Sequence, residues 1–289
     1  MSFEKIAIIT DSCADISVRD LQKYNNIFVL PLILRDQDGE YLDGVTIKAA
    51  DVYEKQKTEQ LKTSLPSFES AMGLLNTIYE QGYTKVIAIM LSAGLSGTYN
   101  QMRVLAEDWK DKMEVKAFDS VSGSVGISAI VLQTAQYIRE EMCWECLLEV
   151  VPQLIENTYV CFSVDTLEYL LKGGRIGKVT AAAGTMLQLK PLLSFAASGE
   201  LVNVDLVRGR KLIQSHLIKF LKGKVGEKPL RYNLMVANGG APEEVAVLKK
   251  KLEAQYPDYE NYYETEIGAT LSVYIGPGIL GVGIQVLPE

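Results

Sequence analysis

Lys85-Val86-Ile87-Ala88-Ile89-Met90-Leu91, followed by Ser92-Ala93-Gly94-Leu95-Ser96-Gly97-Thr98, is the stretch on which the fold turns. An unbroken apolar run this short, rich in β-branched residues, reads as a strand buried on both faces. The Ser/Gly loop then opens an amphipathic segment, Thr98–Lys110, that reads as a helix. Strand, small polar turn and helix is the repeating unit of an α/β sheet.

The unit recurs through the first half of the chain. Lys5–Ile9 is a buried-type strand that ends in Thr10-Asp11-Ser12 and leads to a helix near Ser17–Tyr24. Ile27–Leu34 reads as one strand, Asp36–Gly39 as a turn into Glu40–Leu42, and Ala49–Lys57 as a helix. Thr63-Ser64-Leu65-Pro66-Ser67 reads as a second hydroxyl-rich helix start, with Ser64 or Ser67 as cap and Pro66 in the first turn. Glu114–Phe118, Asp119–Gly126 and Ile127–Met142 complete a third unit. Pro152 and the break at Glu156–Thr158 predict a boundary.

Beyond it the pattern changes to strand Tyr159–Val164, helix Asp165–Leu171, the turn Lys172–Arg175 and a small-residue helix to about Leu187. A hairpin, Leu192–Ala196 with Leu201–Val207, and the amphipathic Lys211–Leu221 come next. Strand Asn233–Ala237, helix Glu243–Gln255 and strand Tyr262–Glu266 lead to a Gly-Pro-Gly turn flanked by Val273–Ile275 and Val282–Val286. The expected fold class is α/β: a mostly parallel sheet flanked by helices in residues 1–157, then an α+β domain in 158–289.

Composition narrows the function. With 289 residues, 48% apolar and 22% charged, the chain has the makeup of a packed protein of about two domains. A net charge of −7, from 36 acidic and 29 basic residues, argues against a nucleic-acid surface. The clustered Lys249–Lys251 reads as a solvated helix face. The N-terminus lacks a basic flank and an apolar core for export, and no run approaches the ~20 residues of a membrane span. A cytoplasmic protein is expected. Four cysteines are too few for a disulfide scaffold and suit a reducing compartment. The single histidine, His216, leaves little room for Ser-His-Asp, Cys-His or multi-histidine metal chemistry. It falls in the amphipathic segment, where a structural or surface role is the default.

The Ser92–Thr98 loop admits two readings: a cap with a tight turn, or an anion site of N–H groups and hydroxyls at a helix start. Thr63–Ser67 repeats that chemistry. Asp11, in the first loop, and Asp119 read as caps and supports, because a carboxylate aimed at an anion would repel it. Gly276–Gly281 spells G-x-G-x-x-G but lies eight residues from the end, with no room for a dinucleotide unit. Gly173–Lys178 fails as a P-loop at Lys172 and Val179. Gly94–Thr98 is not a nucleophile elbow. Cys143-Trp144-Glu145-Cys146 has redox spacing but reads as two thiols on one helix face. No ligand cluster for a metal is visible.

Taken in order, Thr10-Asp11-Ser12 with Ala14-Asp15, Thr63-Ser64-x-Pro66-Ser67, Leu95-Ser96-Gly97-Thr98-Tyr99, Asp119-Ser120, Val164–Leu170 with Gly173-Gly174-Arg175-Ile176, Lys190-Pro191 and Gly276-Pro277-Gly278 resemble the DegV family over essentially the whole chain. The resemblance implies a two-domain, DegV-like fold that binds one long-chain fatty acid, such as palmitate (hexadecanoate), in a tunnel between or near the domains. It implies a carrier with no catalytic residues and no cofactor, which presents the acid to a fatty acid kinase for acyl phosphate formation and phospholipid synthesis. It places the carboxylate on Thr63 and Ser96, with Ser64, Ser92, Gly97, Thr98, Tyr274 and Gly276 as head-group neighbours. Arg175, Arg208 and Arg210 are the implied contacts to the kinase or its phosphates. Many members carry a histidine where this chain has Tyr274, a phenol that donates a hydrogen bond but cannot become cationic.

The physics is compatible with that ligand. A palmitate tail has about fourteen methylenes, whose burial at ~0.8 kcal/mol each amounts to roughly 11 kcal/mol before association costs. Hydroxyls and helix N–H groups would answer the cost of burying the head. Ala181–Leu189, Leu192–Ala196 and Ile279–Val282 are the candidate tail-lining segments. Two alternatives remain: an acyl hydrolase or transferase with Ser96 as nucleophile, and a lipid-binding regulatory protein without a kinase partner.

Overall fold

The computed structural model describes residues 5–182, 189–226 and 229–288. Its first sheet is four-stranded and wholly parallel, in the order β2-β1-β6-β7, with β1 Ile6–Asp11, β2 Ile27–Leu30, β6 Lys85–Met90 and β7 Glu114–Asp119. Side chains alternate across a strand, so the apolar runs feed two cores. Ala7, Ile9, Val86 and Ala88 pack against α3 (Phe68–Glu80) and α4 (Thr98–Trp109) through Leu75, Ile78, Met102 and Leu105. Ile6, Ile8, Ile87 and Ile89 pack against α5 (Val125–Arg139) and α6 (Trp144–Glu156) through Ile127, Val131, Leu147 and Val151.

The second sheet is six-stranded and mixed, in the order β10-β9-β8-β13-β11-β12. Its strands are β8 Thr158–Ser163, β9 Leu189–Phe195, β10 Leu201–Arg208, β11 Tyr232–Gly239, β12 Tyr262–Glu266 and β13 Ile279–Val286. Its outer face is covered by α8 (Ile213–Val225) and α9 (Pro242–Gln255). Its inner face turns toward α5, with Leu193, Met235, Ala237 and Ile279 in one cluster with Val125, Ala129 and Leu132. Every α5 residue from Val125 to Ala135 is buried, as expected of a mostly apolar helix held between two sheets, and its buried Ser128, Gln133 and Thr134 side chains are hydrogen-bonded. The chain is thus an α/β protein with a parallel sheet flanked by helices and a second, mixed sheet.

A small antiparallel sheet, β4-β3-β5, lies beside them, with β3 Ile33–Arg35, β4 Glu40–Leu42 and β5 Lys62–Ser64. The remaining helices are α1 (Val18–Leu21), α2 (Ala49–Lys55), α7 (Glu168–Lys172) and α10 (Ala269–Ile275), with short 3-10 turns at Ser12–Ala14, Gly177–Ala182 and Arg210–Leu212. Ala269 and Val273 of α10 pack on Leu34, Val52 and Leu61, so a late helix closes over the small sheet.

Five expectations change. Ile27–Leu34 is two strands in two sheets, because Pro31 lacks the N–H needed to continue a ladder. Thr63 and Ser64 do not start a helix. They lie in β5 opposite Leu34 and Ile33, Pro66 holds Leu65 extended, and Ser67 caps α3 by accepting the Ser70 N–H at 3.0 Å. Pro152 does not end a segment: α6 runs through it, since the apolar face Leu147, Val150, Val151 and Leu154 packs in the core and outweighs one lost hydrogen bond. Val273–Ile275 is the last turn of α10, ended by Gly276 at φ 66°. Cys143 and Cys146 are not two thiols on one helix face; Cys143 is the N-cap of α6, and the two are joined as a disulfide. Most of the small-residue stretch Ala181–Leu189 lies outside the described residues.

Candidate functional site

The carboxyl ends of parallel strands gather their loops on one edge, where ligand sites form. Here the loop after β6 approaches the segment after β5 closely enough that a Cβ on Gly97 would meet Leu65 Cδ1 at 3.4 Å. Between these loops, α10 and the inner face of the six-stranded sheet lies a cavity of about 400 Å³, within the range of small-molecule sites.

One end of the cavity is polar. Thr63, on the edge strand β5, shares a hydrogen bond with the Tyr274 hydroxyl from α10. The Arg175 guanidinium lies 5.0 Å over the Tyr274 ring, and Gly173 is required beside it because a Cβ there would strike that ring. Arg175 also donates to the carbonyls of Gly173 at 2.8 Å and Leu95 at 3.4 Å, tying this end to the loop that carries Ser96. The Ser96 and Thr98 hydroxyls are 2.8 Å apart, and the Thr98 N–H donates to Ser96 Oγ at 3.3 Å. Two further lining hydroxyls, Ser64 Oγ and Thr270 Oγ1, are buried without a hydrogen-bond partner. Buried hydroxyls are ordinarily paired, so these two are acceptor-hungry positions in the cavity wall. Among the described lining residues Arg175 carries the one charge, and no carboxylate lines the wall.

The rest of the described lining, Ser124 apart, is apolar. Phe162 of β8 and Phe195 of β9 face one another with ring centroids 6.4 Å apart. Val160, Leu201, Ala237, Ile267 and Gly281 continue the wall, with Leu32, Leu91, Val125 and Leu271 from the other elements. Of the candidate tail-lining segments, Leu192–Ala196 contributes Phe195 and Ile279–Val282 contributes Gly281. Gly123 allows the Phe195 ring within 3.4 Å of where a Cβ would stand.

The six residues that the resemblance implies as head-group neighbours divide. Ser64, Gly97 and Tyr274 line the cavity. Ser92, Thr98 and Gly276 are buried and absent from its described lining. Ser92 instead donates to the Gly199 carbonyl at 2.7 Å, anchoring its loop to the β9–β10 turn, and Gly276 makes room for the Tyr169 ring. Arg210 is engaged by Glu244 at 2.7 Å and Asp165 at 2.8 Å, while Arg208 is exposed at the end of β10. The expectation of two adjoining helix mouths fails for Thr63, which sits on a strand. Thr270 was missed because Gly268-Ala269-Thr270 carries no motif; only the folding of α10 over the small sheet brings it to the wall.

Behind the polar end, carboxylates fix the loops. Asp11 accepts the N–H groups of Leu91 at 2.7 Å and Cys13 at 3.0 Å. Asp119 accepts those of Ala93 at 3.0 Å and Val121 at 2.9 Å. Both act as the supports their sequence positions suggest. Asp15 accepts from the Ser124 hydroxyl at 2.6 Å and the Gly268 N–H at 3.0 Å, and Asp43 accepts from Ser12 at 2.8 Å and the Ala269 N–H at 3.0 Å. Burial pushes the Asp11 carboxyl up to about 7, against its two N–H bonds and with the charge of Asp43 adding to the rise. Burial likewise holds Asp15 well above the usual carboxylate range.

Elsewhere, the lone histidine pairs through Nδ1 with Asp205 at 2.7 Å, joining α8 to β10. Asp36, Asp38 and Glu59 converge, with the Lys55 ammonium bridging them at 2.7, 3.3 and 3.6 Å. No helix among the described residues is long and apolar enough to cross a membrane.

Comparison with known proteins agrees with this architecture. The chain is 37% identical over 97% of its length to a DegV domain-containing protein of Clostridium acetobutylicum, 99% of which is covered. A solved structure from Thermus thermophilus, described as fatty acid binding of a DegV family protein, superposes with a TM-score of 0.90 at 27% identity, covering 98% of this chain and 100% of that one. A stearic-acid-binding protein from Eubacterium ventriosum superposes at 0.86 with 27% identity, over 97% and 98% of the two chains. The family model described as an uncharacterised protein of the DegV family matches residues 5–287, and the chain belongs to that family.

Proposed function

We propose that the cavity holds a single long-chain fatty acid, with its carboxylate on Thr63 and Ser96 and its tail along the apolar wall. The observation that carries this reading is one cavity whose lining joins a set of hydroxyls and one guanidinium, linked through Thr63, Tyr274 and Arg175, to a larger set of aromatic and aliphatic side chains. Ser64 and Thr270, whose buried hydroxyls lack partners, supply further donors to a carboxylate. Tyr274 takes the place of the family's histidine as a neutral donor, and the nearby positive charge comes from Arg175 stacked on it. The fatty acids described for the Thermus and Eubacterium proteins support the ligand class.

The protein acts as a carrier that presents the acid to a fatty acid kinase in the cytoplasm. The Ser96 hydroxyl meets the Thr98 hydroxyl and no base among the described residues, which speaks for holding over acyl transfer. Arg175, exposed at the polar end, is the better placed of the three arginines for contact with a kinase or its phosphates; the acid pairs on Arg210 leave it less available. Residues 1–157 supply the loops and 158–289 the greater part of the tail wall.

Organic extraction of the purified protein, followed by mass spectrometry, should release a fatty acid. Combining Thr63→Ala with Ser96→Ala should weaken binding by about 3 to 6 kcal/mol, since a hydrogen bond to a charged group contributes ~1.5–3 kcal/mol. Unchanged affinity in the double variant rejects this head-group site. Turnover of an acyl ester that Ser96→Ala abolishes rejects the carrier reading.

A further inference from the structure

Cys143 and Cys146 occupy a setting that suits thiol chemistry better than bracing. Cys143 is the N-cap of α6, in extended conformation, and Cys146 lies in the first turn. The pair is bonded, and both residues are exposed. The Cys146 N–H donates to Cys143 Sγ at 3.1 Å. α6 runs thirteen residues, so its first turn carries the partial positive charge of a full helix terminus. Donated N–H and helix terminus together favour a thiolate on Cys143 over one on Cys146. Between them Trp144 is buried at 2% exposure, with the Lys85 ammonium 5.1 Å over its ring, which fixes the turn that holds the two sulfurs together.

The bond does little as a brace. Cross-link stabilisation grows with the length of chain enclosed, and only two residues lie between these cysteines. The helix is already anchored by Trp144, Leu147, Val151 and Leu154 in the core.

We propose that Cys143 and Cys146 form a reversible dithiol–disulfide centre that exchanges electrons with low-molecular-mass thiols and their disulfides. In the oxidising direction the Cys143 thiolate attacks a disulfide RS–SR, forming the Cys143–SR mixed disulfide and releasing RS⁻. The Cys146 thiolate then attacks Cys143 Sγ, closing the internal bond and releasing a second RS⁻. Two protein thiols and RSSR thus give one protein disulfide and two RSH, a two-electron exchange; the reverse sequence consumes two RSH. This centre is independent of what the cavity binds.

Glutathione and its disulfide serve as the probe. The native protein is equilibrated in mixtures of the two near neutral pH, quenched with acid, alkylated and weighed by mass spectrometry. The wild type should pass from two alkylated thiols to none at this pair as the mixture becomes oxidising, without denaturant. Buried Cys13 and Cys161 are internal controls that should stay unmodified in the folded protein. Cys146→Ser should accumulate one glutathionyl group on Cys143, and Cys143→Ser about tenfold less on Cys146, which lacks the donated N–H. The proposal is overturned if the wild-type pair exchanges only after unfolding, or if Cys146→Ser takes up no more glutathione than the buried cysteines. The wild-type titration requires no variant, so a folding defect in either mutant leaves the test intact.

Discussion

The loops at the carboxyl edge of the parallel sheet and the inner face of the six-stranded sheet border one cavity, yet they are built on opposite principles. The loops are fixed by carboxylates that accept backbone N–H groups: buried Asp11 for Leu91 and Cys13, half-buried Asp119 for Ala93 and Val121. The sheet face offers Phe162, Phe195, Ala237 and Gly281, which fix nothing directionally and exclude water. Directional groups orient a ligand, whereas an apolar wall holds it in proportion to area. Such a division lets the loop set be specific while the wall stays generic.

The sharpest way to break this contrast is to remove a loop carboxylate. Asp11 titrates at about 7 in the folded protein, against 3.8 for the ordinary side chain. The folded state therefore binds more protons than the unfolded one between about pH 4 and pH 7, and stability falls as pH rises through that window. Integrated over the whole shift, the effect is about 4 kcal/mol. Asp11→Asn should remove most of that slope while keeping one of the two N–H bonds. Asp15, also raised by burial, leaves part of it. Urea unfolding of both proteins at several pH values reads the difference, and equal slopes would discard Asp11 as the source. On the wall side, Ala237→Phe should displace about four methylenes of a bound tail. At ~0.8 kcal/mol each this loses about 3 kcal/mol, on the order of a hundredfold in affinity, in a fatty acid displacement assay.

The same contrast explains what the sequence could and could not disclose. Val86–Leu91 and Ile6–Ile9 announce a parallel sheet because a strand buried on both faces needs an unbroken apolar run. The hairpin β9–β10 was legible from its two apolar arms, Leu192–Ala196 and Leu201–Val207. Ser96 was legible as a hydroxyl in a Ser/Gly loop and Thr63 as one at a hydroxyl-rich helix start; their pairing came only from the DegV resemblance, and both residues line the cavity. The local conformation of Thr63 was not legible: whether Lys62–Ser64 becomes strand or helix start depends on β3 lying ready to pair with it, a long-range fact. Thr270 was illegible for the same reason. Cys143 misled because spacing alone cannot tell an N-cap from a helix face, and capping is decided by where the chain enters the helix.

A finer test asks whether the apolar wall also measures the tail. A second cavity, of about 540 Å³, shares Val160 and Phe195 with the first, so the Phe195 ring stands in the partition between them. Phe195→Ala should open that partition and move chain-length preference upward. Two extra methylenes would then find room, worth about 1.6 kcal/mol or on the order of tenfold in favour of the longer acid. Competition between acids of graded length measures this, and an unchanged preference locates the end wall elsewhere.

The smallest effect belongs to Arg175. Its guanidinium is exposed and, among the described residues, is held by two carbonyls and the Tyr274 ring rather than by an acid. An exposed charge in water contributes little to a nearby anion, and the Debye length shrinks to about 3 Å at molar salt. Arg175→Gln should therefore weaken fatty acid binding about twofold to fivefold at low ionic strength, and the difference should vanish at high salt. The loss in the Thr63→Ala, Ser96→Ala protein should persist there, because hydrogen bonds from neutral hydroxyls are not screened in this way. If the Arg175 deficit survives high salt, the guanidinium works by packing Tyr274 against Thr63, and it belongs with the groups that shape the polar end rather than those that attract the ligand.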